Sequence, residues 1–139
     1  MIRTVINELL NIDYPIIQGG MAGIADATLA AAVSNAGGLG VIGAGYASEE
    51  WIREEIRKTR LLTRNPFALN IMLLNPEAEM VGKVAMEEGV EVIITGAGSP
   101  GKYISSWKSK GIKVIPVIPS VSIAQRMEKM GADAVIAEG

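Results

Sequence analysis

The chain of 139 residues contains no cysteine and no histidine. Without cysteine it can form neither a disulfide framework nor a thiolate-ligated metal site. Without histidine it can supply no Ser-His triad, no imidazole metal ligand and no imidazole general base. Any chemistry to which this chain contributes must therefore use other side chains or a bound cofactor.

The charged residues are balanced, with 13 Lys and Arg against 15 Asp and Glu and a formal net charge of −2. They are spread along the chain, so no basic stripe predicts a nucleic-acid partner. No apolar run approaches the roughly 18 residues of a membrane span. The N-terminal segment carries Glu8 and Asp13 and lacks the apolar core of a secretory signal. Because the lack of cysteine is compatible with a reducing compartment, we expect a cytoplasmic protein that binds neither nucleic acid nor membrane.

Apolar residues make up 49% of the chain, and there are 16 glycines. Short runs rich in Val and Ile end in Gly, Asn, Thr or Ser, and a longer amphipathic stretch follows each of them. This alternation predicts one α/β domain. The predicted strands cover residues 16–18, 39–42, 67–71, 92–95, 113–117 and 134–137. The predicted helices cover residues 25–36, 48–61, 77–88, 101–110 and 122–130.

The predicted strands are continuously apolar, which is typical of parallel strands buried on both faces. Two closures of such a sheet are compatible with the pattern. A doubly wound open sheet reverses its strand order and carries helices on both faces, whereas a (β/α)8 barrel keeps one direction and carries helices only outside. Six strands suffice for the open sheet and are two short of the barrel, so the pattern alone leaves both closures open.

In either closure a ligand binds beyond the carboxyl ends of the strands. These ends are rich in glycine and contain no Lys, Arg or His. Glycine lets a backbone approach a ligand closely, so a large planar ligand held by the main chain is one interpretation. The other is that the glycines only form tight turns. Residues 96–101 (GAGSPG) also match the GxGxxG spacing of dinucleotide-binding loops, but no acidic residue ends the next strand to bind a ribose.

Two polar residues at strand ends are candidates for ligand contacts. The Asn70 amide could pair with the edge of a ring, or it could cap a turn. The Glu138 carboxylate could act as a base, or it could accept a hydrogen bond from a neighbouring backbone amide. Since a site without His, Cys or a cation is poorly suited to acyl or phosphoryl transfer, these ends favour a cofactor that carries the chemistry itself.

Six segments resemble the flavin-dependent family of nitronate monooxygenases (2-nitropropane dioxygenases) and enoyl-acyl carrier protein reductase II. The resemblance spans essentially the whole chain and implies an incomplete TIM (β/α)8 barrel that contains about six of the eight parallel strands and binds FMN. The segments are DYPIIQGGMAG (13–23), NAGGLGVIGAG (35–45), NPFALNIMLL (65–74), TGAGSP (95–100), KVIPVIPSV (113–121) and GADAVIAEG (131–139).

The same resemblance implies a set of cofactor-binding residues; with neither Cys nor His in the chain, no metal site is expected. Gly20, Met21 and Ala22 are expected to lie behind the isoalloxazine ring, and Asn70 to reach the flavin. The resemblance places the remaining residues, Thr95, Gly96 and Glu138, at the mouth of the barrel near the flavin.

The resemblance also implies the reaction. In the enoyl reductase branch, NADH or NADPH reduces FMN, which passes a hydride to an enoyl thioester. In the other branch, reduced flavin and O2 oxidise an alkyl nitronate. The runs NIMLL (70–74) and TGAGSPGKY (95–103) favour the reductase branch. Family members continue beyond the AEG motif with a loop that carries the catalytic His. Residues 1–139 are therefore expected to be the N-terminal part of a single FMN-binding barrel domain, truncated before that loop and inactive alone.

Two other functions remain open. The chain could be a non-catalytic half-barrel that forms a homodimer or associates through its open edge. Alternatively, it could be a complete, doubly wound nucleotide-binding protein that uses residues 96–101 as its phosphate loop.

Overall fold

The computed structural model describes residues 2–139, which form six helices and a five-stranded parallel sheet. The helices are α1 (Val5–Leu10), α2 (Ala27–Asn35), α3 (Glu49–Leu62), α4 (Ala78–Glu87), α5 (Gly101–Ser109) and α6 (Val121–Lys129). The strands are β1 (Gly40–Gly43), β2 (Phe67–Met72), β3 (Val92–Gly96), β4 (Lys113–Ile118) and β5 (Ile136–Ala137).

Side-chain caps mark where three of the predicted helices begin. Asp26 accepts a hydrogen bond from the Leu29 N–H at 3.0 Å and starts α2. The Ser48 and Ser120 hydroxyls accept bonds from backbone N–H groups in the first turns of α3 and α6. The five predicted helices agree with the observed ones to within about two residues at each end, although α4 and α5 begin without a side-chain cap.

The strands lie side by side in the order β1-β2-β3-β4-β5, and every pair is parallel. The order contains no reversal, so the doubly wound alternative is wrong, and with it the complete nucleotide-binding protein built on that fold. Consecutive order is the arrangement found in the wall of a (β/α)8 barrel.

Two apolar clusters cover the two faces of the sheet. On the outer face, side chains of β1 to β4 pack against α2 to α5 around the fully buried Trp107. On the inner face, Leu10 and Ile12 pack with alternate strand residues such as Val41 and Ile94. The short helix α1, which the sequence analysis did not predict, thereby covers part of the inner face.

The first and last predicted strands are shorter in the structure than expected. Residues 16–18 form only a single parallel bridge, between Ile17 and Leu39, so the sheet has five strands where six were predicted. The reason is that the Gln18 side chain, not the backbone, pairs with Val41 beyond that bridge. The predicted strand 134–137 is reduced to Ile136 and Ala137, which pair with the end of β4.

Among residues 2–139, no helix is long and apolar enough to span a membrane. The same residues contain no group of three or more acidic side chains placed to hold a metal ion.

An ion-pair cluster joins the exposed faces of α3 and α4. Arg53 binds Glu49, Glu87 and Glu88, and Arg57 binds Glu88 at 2.7 Å. The hydrogen bond from Arg57 is the main reason why the pKa of Glu88 is lowered, and the hydrogen bond from Arg53 likewise lowers the pKa of Glu87. The ion pairs therefore favour the charged form of both carboxylates.

Because these carboxylates have lowered pKa values in the fold, their contribution to stability is present above the ordinary Glu pKa of about 4.3 and is lost as pH falls through the folded-state values. We expect Glu88→Gln to reduce the loss of stability between about pH 5 and pH 3. Urea denaturation across this pH range measures the effect. The exposed Glu128 has no described ion pair, so Glu128→Gln should reproduce the wild-type profile; equal slopes for all three proteins would contradict the prediction.

Candidate functional site

A cavity of about 1100 Å³ runs along the inner face of the sheet and reaches the carboxyl ends of its strands. Its lining includes backbone from the loops that follow Ile17, β1 and β3, together with the side chains of β2. At the carboxyl ends of the strands the cavity is lined by Gly20, Gly45, Asn70, Gly96, Pro119 and Glu138.

Five of the seven predicted site residues line this cavity: Gly20, Ala22, Asn70, Gly96 and Glu138. The structure places the other two elsewhere. Met21 is not part of the described lining and is 40% exposed. The Thr95 side chain is fully buried, and its hydroxyl has no hydrogen-bond partner among residues 2–139.

Strand alternation explains the position of Thr95. Ile93 packs in the outer cluster and Ile94 in the inner cluster, so Thr95 lies on the outer, helix-covered face and Gly96 on the inner face. Thr95 and Gly96, which the resemblance placed together at the mouth of the barrel, therefore lie on opposite faces of the sheet.

Asn70 is the polar side chain that β2 directs into the cavity. It is half-buried and lies in register between Gly43 of β1 and Ile94 of β3. Because Gly43 has no side chain, the Met21–Ala22 backbone can cross over it: an added Cβ there would lie 2.7 Å from the Met21 carbonyl group, so backbone flanks the Asn70 side chain on that side. No hydrogen bond joins this amide to another group among residues 2–139, so it can donate and accept towards a ligand.

Gly20 lies directly against Asn70. A Cβ atom at Gly20 would lie 2.5 Å from both Cβ and Cγ of Asn70, closer than real side chains approach. The next residues cross the end of β1 with similar closeness, since a Cβ at Gly45 would lie 2.6 Å from the Ala22 Cβ. Glycine is therefore required here by the close approach of two chain segments.

The segment 20–25, which crosses the end of β1, is held by hydrogen bonds at Ala25, but several of its backbone N–H groups have no partner in the described part of the chain. The Gly43 N–H donates to the Ala25 carbonyl at 2.9 Å, and the Ala25 N–H donates to the Met21 carbonyl at 2.8 Å. Within residues 2–139, the N–H groups of Gly20, Met21 and Ala22 have no hydrogen-bond partner. These free donors lie beside the Asn70 amide at the carboxyl end of the sheet.

Two residues that position this site were missed by the sequence analysis. Gln18 pairs with Val41, as described above, and the buried Asn75 donates to the Gly45 carbonyl at 3.0 Å. Asn75 thereby ties the loop after β2 to the loop after β1. Gln18 could have been noticed as a polar residue directly before two glycines. Nothing in a single sequence distinguishes Asn75 from an ordinary turn residue.

The lining fits a planar, mostly neutral ring. A Cβ at Gly96 would meet no atom within 4 Å, so this glycine leaves open space where a side chain would otherwise enter the cavity. Free backbone donors and an unpaired amide match a ring edge that carries both acceptors and donors. Arg126 is the one cationic side chain in the described lining, so a strongly anionic ligand finds little charge there.

Comparisons with known proteins find one matching family model and several similar solved structures. A family model described as nitronate monooxygenase matches residues 3–85 and 78–139. The solved structure of FabK from Thermotoga maritima is 50% identical, with a TM-score of 0.98 over 100% of this chain and 45% of that one. Nitroalkane oxidase from Streptomyces ansochromogenes is 26% identical, with a TM-score of 0.88 over 98% of this chain and 48% of that one.

Curated relatives carry names of two kinds, a monooxygenase and a dehydrogenase. A probable nitronate monooxygenase of Staphylococcus aureus is 33% identical over 96% of this chain and 48% of its own length. A hydroxy-methyl-oxo-octahydroindene-carboxyl-CoA dehydrogenase of Rhodococcus jostii is 33% identical over 99% of this chain and 39% of its own length. The chain thus spans less than half the length of these relatives. Together with the consecutive strand order, the structural match confirms the prediction that the sheet is part of a (β/α)8 barrel.

Proposed function

The chain belongs to the nitronate monooxygenase family, and from this premise we propose that it provides the flavin-binding wall of an FMN-dependent oxidoreductase. The observation that carries the proposal is the contact of Gly20 with Asn70, which sets free backbone donors and an unpaired amide side by side in an open cavity. Bound FMN would supply the electron and hydride transfer that none of the lining side chains can perform.

Each part of the lining has a role in holding the ring. The backbone of Gly20, Met21 and Ala22 would lie behind the ring and donate to its acceptors. Asn70 would pair with its polar edge, and Gly96 would leave room for its plane. Glu138, exposed at the end of β5, remains a proposed contact from the opposite side of the cavity.

The substrate we propose is an enoyl thioester, reduced at the expense of NADH or NADPH. FabK is an enoyl-acyl carrier protein reductase II, and the 50% identity to it supports this branch, since the nitroalkane oxidase is only 26% identical. Oxidation of alkyl nitronates with O2 is the second candidate, supported by the family description and by the Staphylococcus aureus relative.

We assign no catalytic acid or base to residues 1–139, because the sequence holds no histidine and the lining carries only Glu138 and Arg126 as charged side chains. We propose that residues 1–139 are the N-terminal part of one barrel domain whose remaining strands bind the flavin phosphate and supply the catalytic residue. The chain alone should then show no oxidation of NADH or NADPH in the presence of an enoyl thioester. Turnover at an ordinary enzyme rate would contradict this assignment.

Flavin binding tests the proposal directly. The purified 139-residue chain is titrated with FMN and with riboflavin, and quenching of flavin fluorescence reports binding. We expect both to bind with similar affinity, because the proposed contacts are made to the ring and not to the phosphate. Saturable binding of NAD without binding of either flavin would contradict the proposal. With flavin bound, a change of its visible spectrum on adding an enoyl thioester, but not an alkyl nitronate, favours the reductase branch.

The open edge of the last strand, β5, bears on whether the chain associates with other protein chains. β5 pairs only with β4, so its other edge is open within the described chain. The remaining strands of the proposed barrel would cover this edge, and we propose that in the 139-residue chain by itself a second copy covers it in solution. Light scattering at high concentration should show a dimer or a larger species, and a monodisperse monomer would contradict this.

Gly20→Ala is expected to weaken flavin binding by about tenfold or more, because the added methyl group displaces the Asn70 side chain. Gly19→Ala is the matched control, since its methyl group would meet no atom within 4 Å. The Asn70 side-chain amide signals in ¹H–¹⁵N spectra should shift in the first variant and stay in place in the second. Unshifted Asn70 signals in Gly20→Ala would contradict the argument.

A further inference from the structure

The Gln18 side chain makes the hydrogen bonds of a β-strand. Its Nε2 donates to the Val41 carbonyl at 3.0 Å, and its Oε1 accepts from the Val41 N–H at 3.1 Å. Both backbone groups of one β1 residue are therefore satisfied by one side-chain amide, which is half-buried at the edge of the cavity.

The preceding hydrogen bonds show what this amide replaces. The Leu39 N–H donates to the Ile16 carbonyl at 2.9 Å, and the Gln18 N–H donates to the Leu39 carbonyl at 3.0 Å, as in a regular parallel ladder. One step further, a regular ladder would join the Val41 N–H to the Gln18 carbonyl and the Val41 carbonyl to the Gly20 N–H. The Gln18 side chain makes both of these bonds instead.

We infer that Gln18 is a positioning residue that ends the first strand without leaving Val41 unpaired, and so releases the Gly20 N–H and the segment that follows it to cross the cavity beside Asn70. The inference rests on the proposed function in one respect, namely that the released donors face a flavin. The release itself is visible in the hydrogen bonds.

Only glutamine meets all the requirements at this position. Asparagine is one methylene shorter. Glutamate keeps an acceptor for the Val41 N–H but sets a carboxylate oxygen against the Val41 carbonyl. Methionine matches the length of glutamine but offers no amide, so backbone pairing of Val41 with Gln18 and Gly20 becomes the remaining way to satisfy both groups.

The experiment compares Gln18→Met and Gln18→Glu with the wild-type 139-residue chain, and uses Gln125→Glu on the exposed face of α6 as the control. Three quantities are measured: hydrogen exchange of the Val41 and Gly20 amides, FMN affinity, and the absorption maximum of FMN bound at saturation. We expect both Gln18 variants to bind FMN at least about tenfold more weakly with a shifted maximum, and the Val41 or Gly20 exchange rate to change by about tenfold or more. The control should match the wild type.

The outcomes separate the two claims. If the wild type binds no flavin, the proposed function fails, and amide exchange alone decides the role of Gln18. If the wild type binds FMN and the Gln18 variants bind it equally well with the same spectrum, the inference is overturned while the proposed function stands. Unchanged exchange of both amides in Gln18→Met overturns the inference in either case.

Discussion

Replacing Gly40 with alanine is expected to destabilise the chain by about 3 kcal/mol or more, at the upper end of the cost of overpacking. Gly40 lies on the face of β1 that contacts α2, where an added Cβ would overlap the Ala30 carbonyl group and lie 2.7 Å from the Ser34 Oγ. Because the obstruction at Ala30 is backbone, no rotamer change relieves it. Helix α2 must move away from the sheet.

The same displacement breaks a buried hydrogen-bond relay. The Ser34 hydroxyl accepts a hydrogen bond from the Gly40 N–H at 3.0 Å and donates one to the Pro66 carbonyl at 2.7 Å. It thereby connects α2 with the starts of both β1 and β2. Urea denaturation of Gly40→Ala measures the loss, and Gly19→Ala serves as the control because its methyl group enters open space. A Gly40→Ala variant within about 1 kcal/mol of the wild type would contradict the close packing of α2 on β1.

Truncation of Trp107 to alanine is expected to cost about 3–5 kcal/mol, the range found for large aromatic residues in cores. Trp107 is 1% exposed, stacks on Tyr103 with ring centroids 5.2 Å apart, and packs closely against α4. A Cβ at Gly82 of α4 would lie 2.8 Å from the indole Nε1, so the helix approaches the ring without a side chain between them. Removing the indole leaves a cavity that this glycine cannot fill.

The chain provides its own control, because it contains only one other tryptophan. Trp51 is half-buried at the border of the outer cluster, so Trp51→Ala should destabilise the fold clearly less than Trp107→Ala. Thermal or urea denaturation of the two variants compares them directly. Equal losses would mean that the outer cluster is not centred on Trp107. Gly82→Ala tests the same contact from α4 and should destabilise the chain despite the higher helix propensity of alanine.

The positions of most helices and strands could be predicted because they depend on neighbouring residues. Ser48 and the two glutamates after it mark the start of α3 whatever the rest of the chain does. The first strand could not be predicted correctly, because residues 16–18 have the composition of a strand while the pairing of Gln18 with Val41 depends on a contact between distant residues.

The candidate site was predictable in part for the same reason. The rule that ligands bind at the carboxyl ends of parallel strands pointed to Asn70, Gly20 and Gly96, and all three line the cavity. The rule could not separate Gly96 from Thr95. In a strand that is apolar on both faces, the composition does not reveal which residues point inward.

The amino-acid sequence by itself determined the α/β alternation, the helix boundaries, the glycine-rich strand ends and the resemblance to a family, since each depends on local pattern or on a motif. That resemblance already implied a barrel and an Asn70 that faces the ligand. Only the tertiary structure decided the contact of Asn70 with Gly20, the separation of Thr95 from Gly96 and the pairing of Gln18 with Val41. These three depend on the register between strands. Register is set by the packing of the whole sheet, not by any one segment.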